Sequence, residues 1–490
     1  MSGWSKFATW GPSLSLLGWL LCCVPGPAPA AAERFESVGE LIRNSLRDSG
    51  APSVSVAVAQ GDQIIWEQGF GWANRERRVV ATAHTAYPVA SVTKPLTATA
   101  LMTLVQAGKV DLDRPANDYL GPAKLRAHVG DVNQATVRRL ANHSAGLPLH
   151  YRAFRIDGSV RQPSLQEALL RYGALVSAPG EETSYSNLGF GAIGEIIERT
   201  SGEHYADYMR REVFLPLGMT RTSVGIGPGL EDFVATRYGE NGLPVAPYET
   251  DTPAAAAVFA SAHDLARFGL FHLKTHRSDQ KQILSDSSLE EMHRRTSLTD
   301  DGGGYGVGFG RREVGGHSVL LHSGGQEGVS SLLVLLPEQR IAVVVLCNSR
   351  SKLPWQVVDA VLGKLVPRWP GLPQPQWVPP PAFSTPSELL GTWQGTLRAY
   401  DRTFPVELNF LADGLVRARF DQQMPTLIDR AKFDAGVFSG DLISRIGTED
   451  TEGYDYKVSL ALRLREGVLG GAALASNDLV LASWLELRRK

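Results

Sequence analysis

Hydrophobic positions divide the chain into stretches of different rhythm. Phe35, Val38, Leu41, Ile42 and Leu46 recur at helical spacing and predict a helix. Val54 to Ala59 and Gln63 to Gly69 then flank Gly61-Asp62, which predicts a β-hairpin. From about residue 90 to 290 helical patterns dominate, punctuated by glycine and proline. Strand rhythm returns between residues 304 and 347 in YGVGFG, HSVLLHS, VSSLLVLLP and RIAVVVLCN, ahead of a final helix near Trp355 to Leu365. Strands at both ends with helices between them predict an α+β domain over residues 33–368. Its expected form is a mainly antiparallel sheet flanked by helices, with an inserted helical region.

Two further segments follow from the same pattern. WPGLPQPQWVPPPAFSTP is proline-dense and reads as a semi-rigid linker over 369–387. From 388 to 490, short alternating segments such as FPVELNF, LVRARF, YKVSLALRL and LVLASWLEL predict an all-β module, a small barrel or sandwich. At the other end, the uncharged run Leu14 to Val24 follows Lys6 and precedes small residues around Ala28-Pro29-Ala30. It is too short to span a bilayer, so residues 1–32 read as a signal peptide, with an uncleaved amphipathic anchor as the alternative. An exported protein, periplasmic or extracellular, is therefore expected, with no transmembrane span after cleavage.

Composition narrows the partners. The chain has 490 residues, a formal net charge of −2 and 20% charged residues, which offers no electrostatic footprint for nucleic acid. Three cysteines are present, and Cys22 and Cys23 fall within the leader. Cys347 then has no internal disulfide partner and lies in an apolar run, as a buried small hydrophobe would. The sequence sets no oligomeric state.

Three motifs carry chemistry. Ser91-Val92-Thr93-Lys94 opens the apolar helix Leu96 to Val105, which ends towards Gly108. Residues three apart share a helix face, so the Lys94 amine reaches the Ser91 hydroxyl. A serine needs a base to become a nucleophile, and an amine in a dry site can be that base. The spacing alone is weak, since Ser278…Lys281 and Ser349…Lys352 repeat it in solvated or loop surroundings. Tyr185-Ser186-Asn187 offers a phenol to shuttle protons and an amide to bind substrate and orient Lys94; its structural alternative is a helix N-cap. His322-Ser323-Gly324-Gly325 sits near a strand end, where glycines admit a substrate backbone; the alternative is a glycine turn.

In this order the motifs resemble the serine β-lactamase superfamily, which includes class C β-lactamases, serine DD-peptidases, D-aminopeptidases and related esterases. VRRLANHSAGLP, GEETSYSNLGFGAIGEIIERTSG, SAHDLARFGLF and YGVGFG extend the resemblance over about residues 35 to 365. It implies that Ser91 forms an acyl-enzyme, Lys94 acts as base and Tyr185 relays protons. It also implies that Asn187, His322, Ser323 and Gly324 contact substrate and that the N–H groups of Ser91 and Gly325 hold the oxyanion. One departure matters. Many lactamases and transpeptidases begin the third motif with lysine, which pairs with a substrate carboxylate, whereas His322 is mostly neutral at pH 7. The expected substrate is accordingly a small peptide, amide or ester. The alternatives are a catalytically weak lactamase-fold binding or scaffold protein, and a class C-like β-lactamase or DD-carboxypeptidase.

Other patterns carry less. Gly189 to Gly194 matches G-x-G-x-x-G, but no buried strand precedes it, so close helix packing is expected in place of a nucleotide site. No G-x-S-x-G elbow occurs. No metal-ligand spacing is present, and no cofactor is expected. Glu181 and Glu182 read as loop charges, and His143, His263 and His317 as capping or packing residues. Gly391-Thr392-Trp393 resembles the opening of lipocalin-like barrels appended to some D-aminopeptidases. The C-terminal module is expected to shape substrate access.

Overall fold

A computed structural model describes residues 33–158, 160–373, 382–451, 453–477 and 479–490. The expected signal peptide with Cys22 and Cys23, and the proline-rich stretch 374–381, lie outside the described residues. Among the described residues no helix is long and apolar enough to cross a membrane.

Helix α1 (Glu36–Ser49) leads into the hairpin β1 (Ser53–Gln60) and β2 (Gln63–Asn74). The turn is made by Gly61 at φ 67°. Much later the chain returns as β3 (Gly310–Val314), β4 (His317–Gln326), β5 (Val329–Leu336) and β6 (Ile341–Cys347), then α5 (Leu353–Leu365). β6 pairs antiparallel with β1, with Val56 opposite Val345, which joins hairpin and meander into one sheet. The expected α+β fold, with its mainly antiparallel sheet, is present.

The central strands are apolar throughout because both sheet faces are covered. Along β6, Ile341, Val343, Val345 and Cys347 point into a core with α1 and α5. Ala342, Val344 and Leu346 point into the other core, which holds α2 (Thr93–Gln106), α3 (Asn187–Ser201) and α4 (Ala262–His272). Period-2 alternation thus assigns neighbouring residues to different cores. Cys347 is fully buried, and burial pushes its thiol up, so it behaves as a small hydrophobe.

The inserted helical region packs backbone to backbone where glycine allows it. A Cβ at Gly194 in α3 would stand 2.7 Å from the Ala254 Cβ, and one at Gly191 would stand 2.8 Å from Leu165 Cδ1. The glycine run is therefore a packing surface, as expected.

The C-terminal strands, from Gly391–Arg398 to Val480–Arg489, form a second antiparallel sheet around their own core. Its two edge strands, Thr426–Leu427 and Asp429–Asp434, are separated only by Ile428, so the sheet curls back on itself like a barrel. It is anchored to the helical region by Asp450, which accepts from Arg152, Arg171 and Tyr172 and is almost fully buried. Tyr151 and Val480 exchange backbone hydrogen bonds of 3.0 and 2.7 Å, and His128 stacks on Trp484. Glu181 and Glu182 correct one expectation: they are ion-paired to Arg463 and Arg465 of the barrel and are not free loop charges.

Burial alone would raise the Asp450 carboxyl, but the Tyr172 hydrogen bond and the two guanidinium groups outweigh it and hold the carboxyl below its ordinary value. A depressed folded-state pKa contributes stability above the unfolded value, about 3.9, that is lost as pH falls through the folded one. Asp450→Ala should cost about 3–5 kcal/mol at pH 7, because it leaves buried cations unpaired. Urea unfolding at pH 7 and below pH 4 checks this: the gap between wild type and variant should close on acidification.

Candidate functional site

Ser91 sits on a 3-10 turn, Ala90–Val92, at the start of α2. Ala90 has φ 47°, a left-handed conformation that costs roughly 1–3 kcal/mol for a residue with a Cβ. The surroundings hold it there. Ser331 Oγ of β5 donates to the Val89 carbonyl at 2.7 Å, Val89 N donates to Val258 O at 2.9 Å, and Thr93 Oγ1 accepts from Val258 N at 3.1 Å. Gly324 of β4 lies directly against this turn: a Cβ there would meet Val89 O at 2.2 Å and Ser331 Oγ at 2.3 Å. Gly324 is thus buried packing beneath the nucleophile, and differs from the substrate contact expected of it.

Lys94 lies one turn further along and is fully buried. Its Nζ stands 3.1 Å from Ser91 Oγ, 2.8 Å from Asn187 Oδ1 and 3.0 Å from the Ala255 carbonyl. Burial alone pushes the amine well below its ordinary value. This pattern suits a neutral amine. Two N–H bonds go to the two pure acceptors, and the lone pair faces a hydroxyl that can donate.

Tyr185 and Asn187 flank that amine. Ser186 caps α3 by accepting from Gly189 N at 3.1 Å, so the helix-cap and site readings of Tyr185-Ser186-Asn187 hold together. The Asn187 amide is oriented by Nδ2, which donates to the His150 carbonyl at 2.7 Å. The Tyr185 ring centroid lies 4.7 Å from Lys94 Nζ, and Ser91 is near enough to the phenol to act on its proton affinity. Burial pushes the phenol up, opposed only in part by Ser91, so it is protonated at neutral pH. Tyr185 is equipped to pass a proton but not to hold a phenolate charge beside a neutral lysine.

His322 of β4 is buried, and Nδ1 donates to Ser323 O at 2.9 Å, which leaves Nε2 an acceptor with no partner. Burial, with Lys94 adding to it, pushes His322 down to about 3, so this position carries no positive charge. Ser323 and Gly325 are exposed on the strand's other face, and nothing stands within 4 Å of where a Gly325 Cβ would be. Ser91, Tyr185, His322, Ser323 and Gly325 line one cleft of about 490 Å³, together with Tyr305, Arg312, Trp355 and Leu372. No barrel residue is among its described lining. The barrel meets the surroundings of the site through Glu181 and Glu182, just ahead of Tyr185.

Sequence reasoning missed two contributors. His143, at φ 62°, packs 4.4 Å from the Tyr185 ring and accepts from Ser186 N at 3.2 Å. Burial holds it neutral, so its Nε2 carries the proton and has no partner. The Ala255 carbonyl is a backbone atom, which no residue-type motif registers. The decoy motifs stay apart from the site: Ser278 and Lys281 are exposed, and buried Ser349 has Lys352 exposed beside it.

A family model described as Beta-lactamase matches residues 38–366. "Protein flp" of Staphylococcus aureus (strain MRSA252) is 25% identical over 344 residues, which is 68% of this chain and 66% of that protein. "Unguisins hydrolase ungD'" of Aspergillus campestris is 25% identical over 334 residues, 64% of this chain and 61% of that one. The chain thus spans just under two thirds of the length of these relatives. Among solved structures, the octameric penicillin-binding protein homologue from Pyrococcus abyssi matches 92% of this chain and 99% of its own, with TM-score 0.57 and 21% identity. SurE with D-Leu matches 92% and 100%, with TM-score 0.64 and 22% identity. A class C β-lactamase matches 70% and 99%, with TM-score 0.59 and 17% identity.

The buried amine has a thermodynamic signature. Lys94 is depressed in the folded state but titrates near 10.5 in the unfolded chain, so between the two values the unfolded state binds the extra proton. Stability therefore rises with pH up to about 10.5, with a slope approaching about 1.4 kcal/mol per pH unit from this group. Denaturation of wild type and Lys94→Met at pH 7, 8 and 9 should show their difference shifting in favour of wild type. A flat difference would mean a protonated Lys94.

Proposed function

We propose that this chain, which belongs to the β-lactamase family, is an exported serine hydrolase that cleaves a peptide, amide or ester through an acyl-enzyme on Ser91. The observation that carries this reading is the fully buried Lys94 amine, 3.1 Å from Ser91 Oγ and also bonded to Asn187 Oδ1 and the Ala255 carbonyl, with its proton affinity lowered by burial. Export rests on the apolar segment Leu14 to Val24 and the small residues that follow it.

In the proposed cycle Ser91 gives its proton to Lys94 Nζ as Oγ bonds to the substrate carbonyl carbon. The N–H groups of Ser91 and Gly325 receive the developing oxyanion. Collapse breaks the bond to the leaving group, which takes the proton from Lys94 by way of the Tyr185 hydroxyl. Water then attacks the acyl carbon, giving its proton back along the same route, and Ser91 is released with the acid product. His322 has no charge to offer a carboxylate, and its Nε2 is covered and without a partner. The missing charge favours neutral acyl groups over the carboxylates of β-lactams and D-Ala-D-Ala peptides.

A fluorophosphonate probe should label the purified protein, and Ser91→Ala and Lys94→Met should abolish labelling while remaining folded. Wild type that stays folded and unlabelled would favour a binding or scaffold role. Tyr185→Phe should slow turnover of a chromogenic ester by roughly 10²–10⁴-fold, the usual contribution of a proton relay.

Fluorescent penicillin should label the wild type poorly beside fluorophosphonate. His322→Lys should raise penicillin acylation, with retained fluorophosphonate labelling as the check on folding. Equal or stronger penicillin labelling of the wild type would overturn the assignment of substrate charge.

A further inference from the structure

Away from the cleft, three side chains from separate parts of the chain converge. Glu67 comes from β2, His84 from the segment leading to Ser91, and His263 from the first turn of α4. Their donor atoms all lie within 4.8 Å of one another, and each residue is partly buried. His263 Nδ1 stands 2.8 Å from Glu67 Oε2, and His84 Nε2 stands 3.8 Å from Glu67 Oε1. The two imidazole rings are 4.5 Å apart.

Hydrogen bonding accounts for only half of this arrangement. His263 is bonded to the carboxylate, but His84 faces it from outside hydrogen-bond reach. Two imidazolium ions so close would also repel each other. One carboxylate and two imidazoles form a donor set that suits zinc. Zinc bonds of about 2.0–2.2 Å in a tetrahedron place neighbouring ligand atoms roughly 3.3 Å apart, which a set already within 4.8 Å reaches by small side-chain movements.

The backbone beneath the cluster is already ordered. Glu67 lies opposite Ala57 in the β1–β2 ladder, and His263 N donates to Ala83 O at 3.1 Å. Thr82 N donates to Thr85 Oγ1 at 2.9 Å, and Ser55 Oγ donates to Thr82 O at 3.1 Å.

We propose that Glu67, His84 and His263 bind a divalent transition metal, zinc by preference, through three protein ligands, with the fourth position open to water. The metal clasps the segment that presents Ser91 onto α4. That segment continues through Ala86–Pro88, which pairs with Val258–Ser261, the strand that runs into α4. Both strands are thereby tied at the end remote from Ser91, and the metal takes no part in acyl transfer.

The test uses untagged, chelator-stripped protein and Zn²⁺ alone. Competition against a chromophoric chelator, with elemental analysis, should give one zinc per chain and a higher thermal midpoint with the metal than without it. Co²⁺ should give the visible absorption of a four-coordinate ion. His84→Ala and His263→Ala should each weaken zinc binding by more than roughly tenfold. Both should still react with fluorophosphonate at Ser91, which reports a retained fold independently of the metal. If either variant fails to fold, Glu67→Gln takes its place. Substoichiometric zinc on the wild type, or unchanged affinity in the folded variants, overturns the proposal. Neither result bears on the acyl-enzyme chemistry, which the Ser91 probe reads separately.

Discussion

An amine buried without a counter-charge is the constraint around which this protein is organised. Lys94 is fully covered, and among the described residues no carboxylate offsets its desolvation. A charged ammonium in such a place is strongly disfavoured, so the fold holds the base in its reactive form before any substrate arrives. That state in turn dictates the neighbours. Neutral acceptors, Asn187 Oδ1 and the Ala255 carbonyl, take the two N–H bonds, and Ser91 faces what is left. His143 and His322 are also held neutral, so no cation stands by to lower Tyr185. Around the amine the groups work by dipoles and protons, while the cation that lines the cleft, Arg312, is paired with Asp301.

Holding a serine against that amine requires a backbone that would not adopt its shape alone. Ala90 is in the left-handed region, and the turn is pinned from the sheet side by Ser331 and from the helical side by Val258 and Thr93. Gly324 lets β4 come close enough for this, since any side chain there would strike the Val89 carbonyl. The third motif thus has two duties on alternate residues. His322 and Gly324 face the body of the protein and the nucleophile turn, while Ser323 and Gly325 face outward along the cleft.

The supports of this centre come from distant parts of the chain. Asn187 is set by the His150 carbonyl, and the His150 ring packs 4.8 Å from Tyr172. Tyr172 in turn bonds Asp450 of the barrel. A continuous line of contacts therefore runs from the C-terminal sheet to the amine, although no barrel residue is found in the described lining of the cleft. The Glu67, His84 and His263 cluster sits at the end of the Ala86–Pro88 and Val258–Ser261 strand pair remote from Ser91.

Much of this was legible in residue order, because it depends on short-range periodicity. The β1–β2 hairpin, the β4–β5–β6 meander, α2 with its Ser91 to Lys94 spacing, the cap at Ser186 and the buried Cys347 all follow from patterns within a few residues. Three-dimensional packing settled what no local pattern encodes. It paired β1 with β6, buried Lys94 while leaving Ser278 and Lys281 in solvent, and recruited the backbone carbonyl of Ala255. It also moved Gly324 from substrate to packing, gave Glu181 and Glu182 partners in the barrel, and gathered Glu67, His84 and His263 from well-separated segments. The reason is physical. Periodicity reports which face of an element is apolar, whereas desolvation, proton affinity and ligand geometry depend on atoms brought within a few ångströms by chain reversals hundreds of residues apart.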